Sequence, residues 1–111
     1  MSVKNPDVID GIGVDDSTNT LVLLIIDPFG WKLQELEHLR AIQKKINHYV
    51  AYIESRGFAS RYKNRSFDGF RIEFVAKYPW TEHTETVFRA GKRQLSERGI
   101  EFAYSVSETE G

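Results

Sequence analysis

The groups in this 111-residue chain that can move a proton, hold a metal ion or meet a phosphate are three histidines, sixteen acidic and fifteen basic side chains. His38, His48 and His83 are the histidines, and no two stand four apart as helical metal ligands do. His38 falls at the border of the apolar stripe of a long helix, one turn after Glu35, and a carboxylate beside an imidazole has the make-up of a general base. A partly exposed boundary histidine explains the same spacing without chemistry. We therefore assign no catalytic residue. Asp7, Asp10, Asp15, Asp16 and Asp27 crowd the first hairpin, and a hard cation needs several oxygens. Asp15 and Asp16 sit in turn chemistry, where aspartate is favoured for its bonds to backbone amides, and Asp10 and Asp27 are expected to cap neighbouring amides. There is no EF-hand spacing, so no metal is expected. Gly11-Ile12-Gly13 lies inside a strand instead of opening a helix, which removes a dinucleotide reading. The absence of cysteine excludes a thiolate nucleophile, and nothing resembles a serine nucleophile elbow. No cofactor is expected.

The strongest local bias is RGFASRYKNRSFDGFR, residues 56–71. Arg56, Arg61, Lys63, Arg65 and Arg71 face only Asp68 there, with Phe58, Tyr62, Phe67 and Phe70 interleaved. Cations and aromatic rings together hold single-stranded nucleic acid, by phosphate attraction and base stacking. The same mixture suits an acidic protein surface. Contact with nucleic acid or another anionic partner would fall to Arg56, Arg61, Tyr62, Lys63, Arg65 and Arg71. Against it stands the formal charge of −1, which gives the whole chain no attraction for polyanions. A solvated loop whose aromatics tuck under the long helix is the simpler expectation.

These residues are positioned by a small set of elements. In LEHLRAIQKKINHYVAYI, Leu36, Leu39, Ile42, Ile46, Tyr49, Val50 and Ile53 recur every three or four residues, one stripe of a long helix. It is expected to begin between Trp31 and Gln34 and to end near Arg56, with Gly57 in the left-handed position after it. Ahead of it, Val8, Ile12 and Val14 outline a strand, Asp16-Ser17-Thr18-Asn19 a turn, and Leu21 to Ile26 a central strand. After it, Phe70, Ile72, Phe74, Ala76 and Tyr78 alternate with polar residues up to Pro79. Thr81 is the expected N-cap of a second helix with an inner stripe of Trp80, Thr84, Val87, Phe88, Gly91 and Leu95. Gly99 ends that helix, and Ile100, Phe102, Tyr104 and Val106 form a last alternating strand.

The order ββαβαβ predicts an α+β two-layer sandwich, a four-stranded mixed sheet with two helices on one face and strand order open. One domain is expected over 1–111, with an N-terminal arm at 1–6 and a polar tail at 108–111. Leu21, Leu23 and Ile25 are expected on the uncovered face with Val75 and Ala103, an apolar patch of the kind that marks an interface. The start, MSVKNPDVID, lacks the apolar core of a signal peptide, and no apolar run reaches membrane-spanning length, so a cytoplasmic protein is expected.

Gln43 to Tyr49 with Ile53-Glu54-Ser55, Asn5, Val8-Ile9-Asp10, Ile12-Gly13, the Asp27 to Trp31 turn and Lys77-Tyr78-Pro79 resemble a family of small bacterial proteins of unknown function. The similarity covers most of residues 5–80. Where members of that family place a more acidic segment after the tryptophan, this chain has Lys32-Leu33. The resemblance implies a bacterial cytoplasmic protein with no assigned activity and no catalytic residue to carry over. The reading favoured by sequence is a non-enzymatic protein acting by protein contact, as a homodimer or in a complex. A nucleic-acid-binding accessory protein using the 56–71 loop is the alternative.

Overall fold

Strict alternation in GFRIEFVA and IEFAYSV makes strands with one dry and one wet face, and a helix follows or precedes each of them. A computed structural model describes residues 8–31 and 34–107, so the expected arm at 1–6 and tail at 108–111 lie outside the described residues. Its elements are β1 (Gly11–Asp15), β2 (Thr20–Asp27), α1 (Glu35–Glu54), β3 (Gly69–Ala76), α2 (Glu82–Glu97) and β4 (Ile100–Val106). A short 3-10 turn, Gly57–Ser60, follows α1. This is the expected α+β fold with a four-stranded mixed sheet.

The strands lie in the order β1-β2-β3-β4. β1 and β2 form an antiparallel hairpin, while β2–β3 and β3–β4 are parallel. Each parallel step needs a crossover helix, and both steps move one strand in the same direction. Crossovers of one hand then put α1 and α2 on the same face. The core fills the space between them: Leu23, Ile25, Ile72, Phe74 and Phe102 from the sheet meet Ile42, Tyr49, Ile53 and Phe88 from the helices.

The register corrects one expectation. Leu21, Leu23 and Ile25 pair across β2–β3 with Phe70, Ile72 and Phe74, and all three are fully buried beneath the helix layer. They do not belong to the uncovered face. Val22, Leu24 and Ile26 point there instead, beside Arg71, Glu73 and Val75. The cause is the sequence itself: LVLLII is apolar at both parities, so alternation carries no information about which side is dry.

The helices follow their patterns with local departures. α1 begins at Glu35, and Leu36 is 61% exposed, off the stripe it was expected to join. The buried face is His38, Leu39, Ile42, Lys45, Tyr49, Val50 and Ile53. After the helix, Arg56 and not Gly57 takes the left-handed conformation, at φ +61°. Gly57 is needed for another reason: a Cβ there would stand 2.6 Å from the Tyr52 ring. In α2, Thr81 caps as expected, its Oγ1 accepting from Thr84 N–H at 3.2 Å. Gly99 leaves the helix at φ +78°, where a side chain would be strained. Gly91 faces open space, so it does not serve a close approach to the sheet.

Candidate functional site

Three places gather chemistry-bearing side chains: a polar seam under α1, the uncovered sheet face, and the 56–71 loop. The seam is the most buried of the three. α1 presents His38, Lys45 and Tyr49 inward on the same stripe as Ile42, and each meets a partner from β2 or from Asp10 just before β1. His38 Nε2 lies 2.5 Å from Asp27 Oδ2, with both side chains almost entirely out of water. Lys45 Nζ, fully buried, donates to Asp10 Oδ1 at 2.9 Å. Asp10 Oδ2 accepts from the Ile26 N–H at 2.9 Å. Tyr49 OH donates to the Leu24 carbonyl at 2.7 Å and accepts from the Asp10 N–H at 2.9 Å. Burial pushes the Tyr49 phenol well above its ordinary range, which keeps it a donor.

Buried polar and charged groups persist only when they are partnered, and the seam meets that condition at His38–Asp27 and at Lys45–Asp10. The expected amide capping by Asp10 and Asp27 is present: Asp10 takes Ile26 N–H, and Asp27 Oδ1 takes Phe29 N–H at 3.2 Å. Each also meets a helix side chain, the more consequential contact. Glu35, the partner considered for His38, turns elsewhere. Its Oε2 accepts from the hydroxyls of Thr81 at 2.5 Å and Thr84 at 3.3 Å, tying the start of α1 to the start of α2.

The Asp27–His38 pair has the parts of a general base. A carboxylate that fixes Nε2–H leaves Nδ1 of a neutral ring as the acceptor. Here His38 is buried, not the partly exposed boundary residue expected, and the Trp31 indole stacks on it at 3.8 Å between ring centroids. His38 Nδ1 and Trp31 Nε1 are both sealed from solvent without a hydrogen-bond partner among the described residues. In this arrangement the pair clamps β2 to α1.

The uncovered sheet face divides in two. At the amino-terminal ends of the parallel strands, Arg71 gathers carboxylates: Nε to Glu101 at 3.1 Å, Nη1 to Glu73 at 3.2 Å and Nη2 to Asp15 at 3.4 Å. The Glu101 bond, with support from Glu73, pushes the Arg71 pKa up despite partial burial. Two bonds from Ser17 hold the Asp15 carboxyl below its usual range. Towards the carboxyl-terminal ends Leu24 and Ile26 of β2 lie with Val75 of β3, while Glu73 stands between Leu24 and Ala103 of β4 and Ser105 stands beside Val75. Ile26 is 46% exposed. Gly11 stands opposite Leu24 and Gly13 opposite Val22, so β1 adds backbone and no side chains there, and the patch is left flat.

The 56–71 loop spends its aromatics on itself. Phe58 is buried and packs on Phe67 and Phe70, while Tyr62 packs edge-on against Phe67. Arg56 lies over the Phe58 ring at 5.6 Å, and Arg65 over Phe67 at 5.1 Å. Arg65 also reaches Asp16 at 3.3 Å and Asn19 at 3.2 Å. Arg71 is on the sheet face with its three carboxylates. The six residues singled out in the sequence are therefore not brought together as one cationic surface. Arg61 and Lys63 are exposed, Tyr62 is half-buried, and the rings that would stack on bases are engaged with one another.

A comparison with known families is decided by coverage. The model of the Family of unknown function (DUF6572) matches residues 1–108. The chain belongs to the DUF6572 family. No curated protein and no solved structure matches it. Membership in DUF6572 agrees with the resemblance read from the sequence and brings no residue roles with it, so the chemistry rests on the geometry above. Among the described residues no helix is long and apolar enough to cross a membrane. No three histidine or carboxylate side chains converge there as metal ligands would.

The seam leaves only a faint signal in the sequence. Lys45 stands three residues after Ile42 and four before Tyr49, a spacing that places it on the apolar stripe. That was the available signal for a buried cation. Asp27 carried a similar one, since it shares the parity of Leu21, Leu23 and Ile25.

Proposed function

We propose that this DUF6572 chain acts by protein contact, without catalysis of its own, and that a partner protein docks on the carboxyl-terminal half of the uncovered sheet face. The observation that carries the reading is the apolar group of Leu24, Ile26 and Val75, with Ala103 across Glu73, on the sheet face opposite the buried core. Aliphatic side chains that keep part of their surface in water, Ile26 most of all, gain hydrophobic free energy when covered, at about 25 cal/mol per Å² of apolar surface. The Arg71 carboxylate cluster borders the patch and supplies the polar rim common to protein interfaces. The seal over His38 Nδ1 is consistent with a structural role for the Asp27–His38 pair.

The test is affinity capture from the native cell with the intact chain and with a Leu24→Lys, Ile26→Lys variant, each followed by mass spectrometry. The reading expects proteins held by the wild type to be lost from the variant while its thermal melting stays close to wild type. An unchanged set of captured proteins contradicts it. Salt separates the nucleic-acid alternative, because phosphate contacts weaken steeply as salt rises and an apolar sheet contact scarcely responds.

A further inference from the structure

β4 closes one side of the sheet, with β3 as its only neighbour among the described strands. Its seven residues keep unbroken register with β3 from Ile100 to Val106. Exposed edges are usually protected by proline, lysine, a bulge or shortness, and IEFAYSV has none of these. Its one charge, Glu101, is held by Arg71. The opposite edge, β1, is shorter and carries Gly11, Gly13 and Asp15.

One hydrogen bond fixes which backbone groups of β4 are free. Ser107 N–H donates to the Ala76 carbonyl of β3 at 2.7 Å. Backbone groups alternate sides along a strand, so those of Ala103 and Ser105 also turn to β3. Those of Ile100, Phe102, Tyr104 and Val106 turn outward.

We propose that a second copy of this chain pairs with that edge, β4 antiparallel to β4, about a two-fold axis at Ala103. This axis is the one that pairs all seven residues. Phe102 then faces Tyr104 of the second copy and Ile100 faces its Val106, and both are hydrogen-bonded pairs made by the outward groups. Glu101 faces Ser105, Ala103 faces itself, and no like charges are opposed. Every side chain stays on its own face, so the dry side of one sheet continues into the dry side of the other.

The surroundings of the edge agree. A shallow cleft of about 260 Å³, lined by Lys92, Ser96, Gly99, Ile100, Glu101 and Phe102, opens beside the first half of β4. In the proposed register Val106 and Tyr104 of the second copy arrive next to Ile100 and Phe102 at that cleft. The two α2 helices run antiparallel across the axis. Glu82 and Glu85 of the first turn of one thereby approach the half that holds Lys92 and Arg93 in the other. The inference does not rest on the sheet-face reading, because the outward backbone groups of β4 carry it; Ala103 is the residue that the edge and the face share.

The experiment uses the full chain, which contains no cysteine. Across a non-hydrogen-bonded antiparallel pair the Cα atoms stand about 4.5 Å apart, within disulfide range. An Ala103→Cys variant under mild oxidation is expected to form a covalent dimer about tenfold faster than a Ser105→Cys variant, whose sulfurs would lie off the axis. Sedimentation should show a dimer for wild type and for Ile26→Asp, and a folded monomer by circular dichroism for Tyr104→Pro, which removes an outward N–H and the Tyr104 bond to Glu85 but no backbone bond to β3. A wild type that sediments as a monomer throughout, equal cross-linking at 103 and 105, or a dimer lost in Ile26→Asp but kept in Tyr104→Pro would overturn the proposal.

Discussion

Asp27 and His38 meet at 2.5 Å between Oδ2 and Nε2, and this contact is bound up with which side of β2 is dry. Six apolar residues precede Asp27, and either parity of that run would satisfy a core. Sending Leu21, Leu23 and Ile25 inward sends Asp27 inward with them. The fold accepts a carboxylate there because the second turn of α1 supplies an imidazole to receive it. Leu24 and Ile26 are thereby turned to the uncovered face.

Removing one member of that pair strands the other in a low-dielectric site. Asp27→Ala is expected to cost about 3–5 kcal/mol of unfolding free energy by urea titration. The Asp27→Leu, His38→Leu double variant should recover most of that loss, because two apolar side chains leave no buried polar group unpaired. Additive losses in the double variant would show that the two side chains do not act as a pair.

The parity of β2 gives a second contrast. Leu23→Ala empties a fully buried site and should cost about 2–5 kcal/mol. Ile26→Ala trims a residue that is 46% exposed and should stay within about 1 kcal/mol. Chemical denaturation of both variants checks this. Equal costs would contradict the register.

Stability should fall at both ends of the pH range for identifiable reasons. The Trp80 indole N–H, with Arg89 and Tyr104, holds the Glu85 carboxyl below its ordinary value of 4.5. A depressed carboxylate contributes stability that is present above its unfolded value and is lost as pH falls through the folded one. Glu85→Gln should therefore flatten the decline below about pH 4.5. Burial raises Tyr49 above its ordinary value of 10.0, so its contribution is present below pH 10 and is lost as pH rises beyond it. Tyr49→Phe should be less stable at neutral pH by about 1–3 kcal/mol, since the Leu24 carbonyl loses its donor. Its alkaline limb should be flatter than that of wild type. Melting temperatures across pH check both limbs.

The architecture was legible because β3, β4 and both helices carry unambiguous periods. Thr81 and Gly99 mark the ends of α2 by side-chain capping and by the left-handed backbone. The face of β2 was not legible, since an uninterrupted aliphatic run has no wet side to read. The seam was hidden for a related reason: a histidine, a lysine and two aspartates look like surface residues until their partners, 11 and 35 residues away in sequence, are placed beside them. The 56–71 loop showed the opposite effect. Its cations and rings read as a binding surface, but Phe58, Phe67 and Phe70 cluster and draw Arg56 and Arg65 onto themselves.

Thiol labelling at two adjacent positions tests the central claim most directly, because the cysteine-free chain gives no background. The account predicts that an Ile26→Cys variant reacts in the folded protein at a rate close to that of a free thiol. An Ile25→Cys variant should react only when the protein unfolds. Fast labelling at position 25 with protection at 26 would mean that β2 presents its other side to water, and the contact surface built on Leu24 and Ile26 would fall with it.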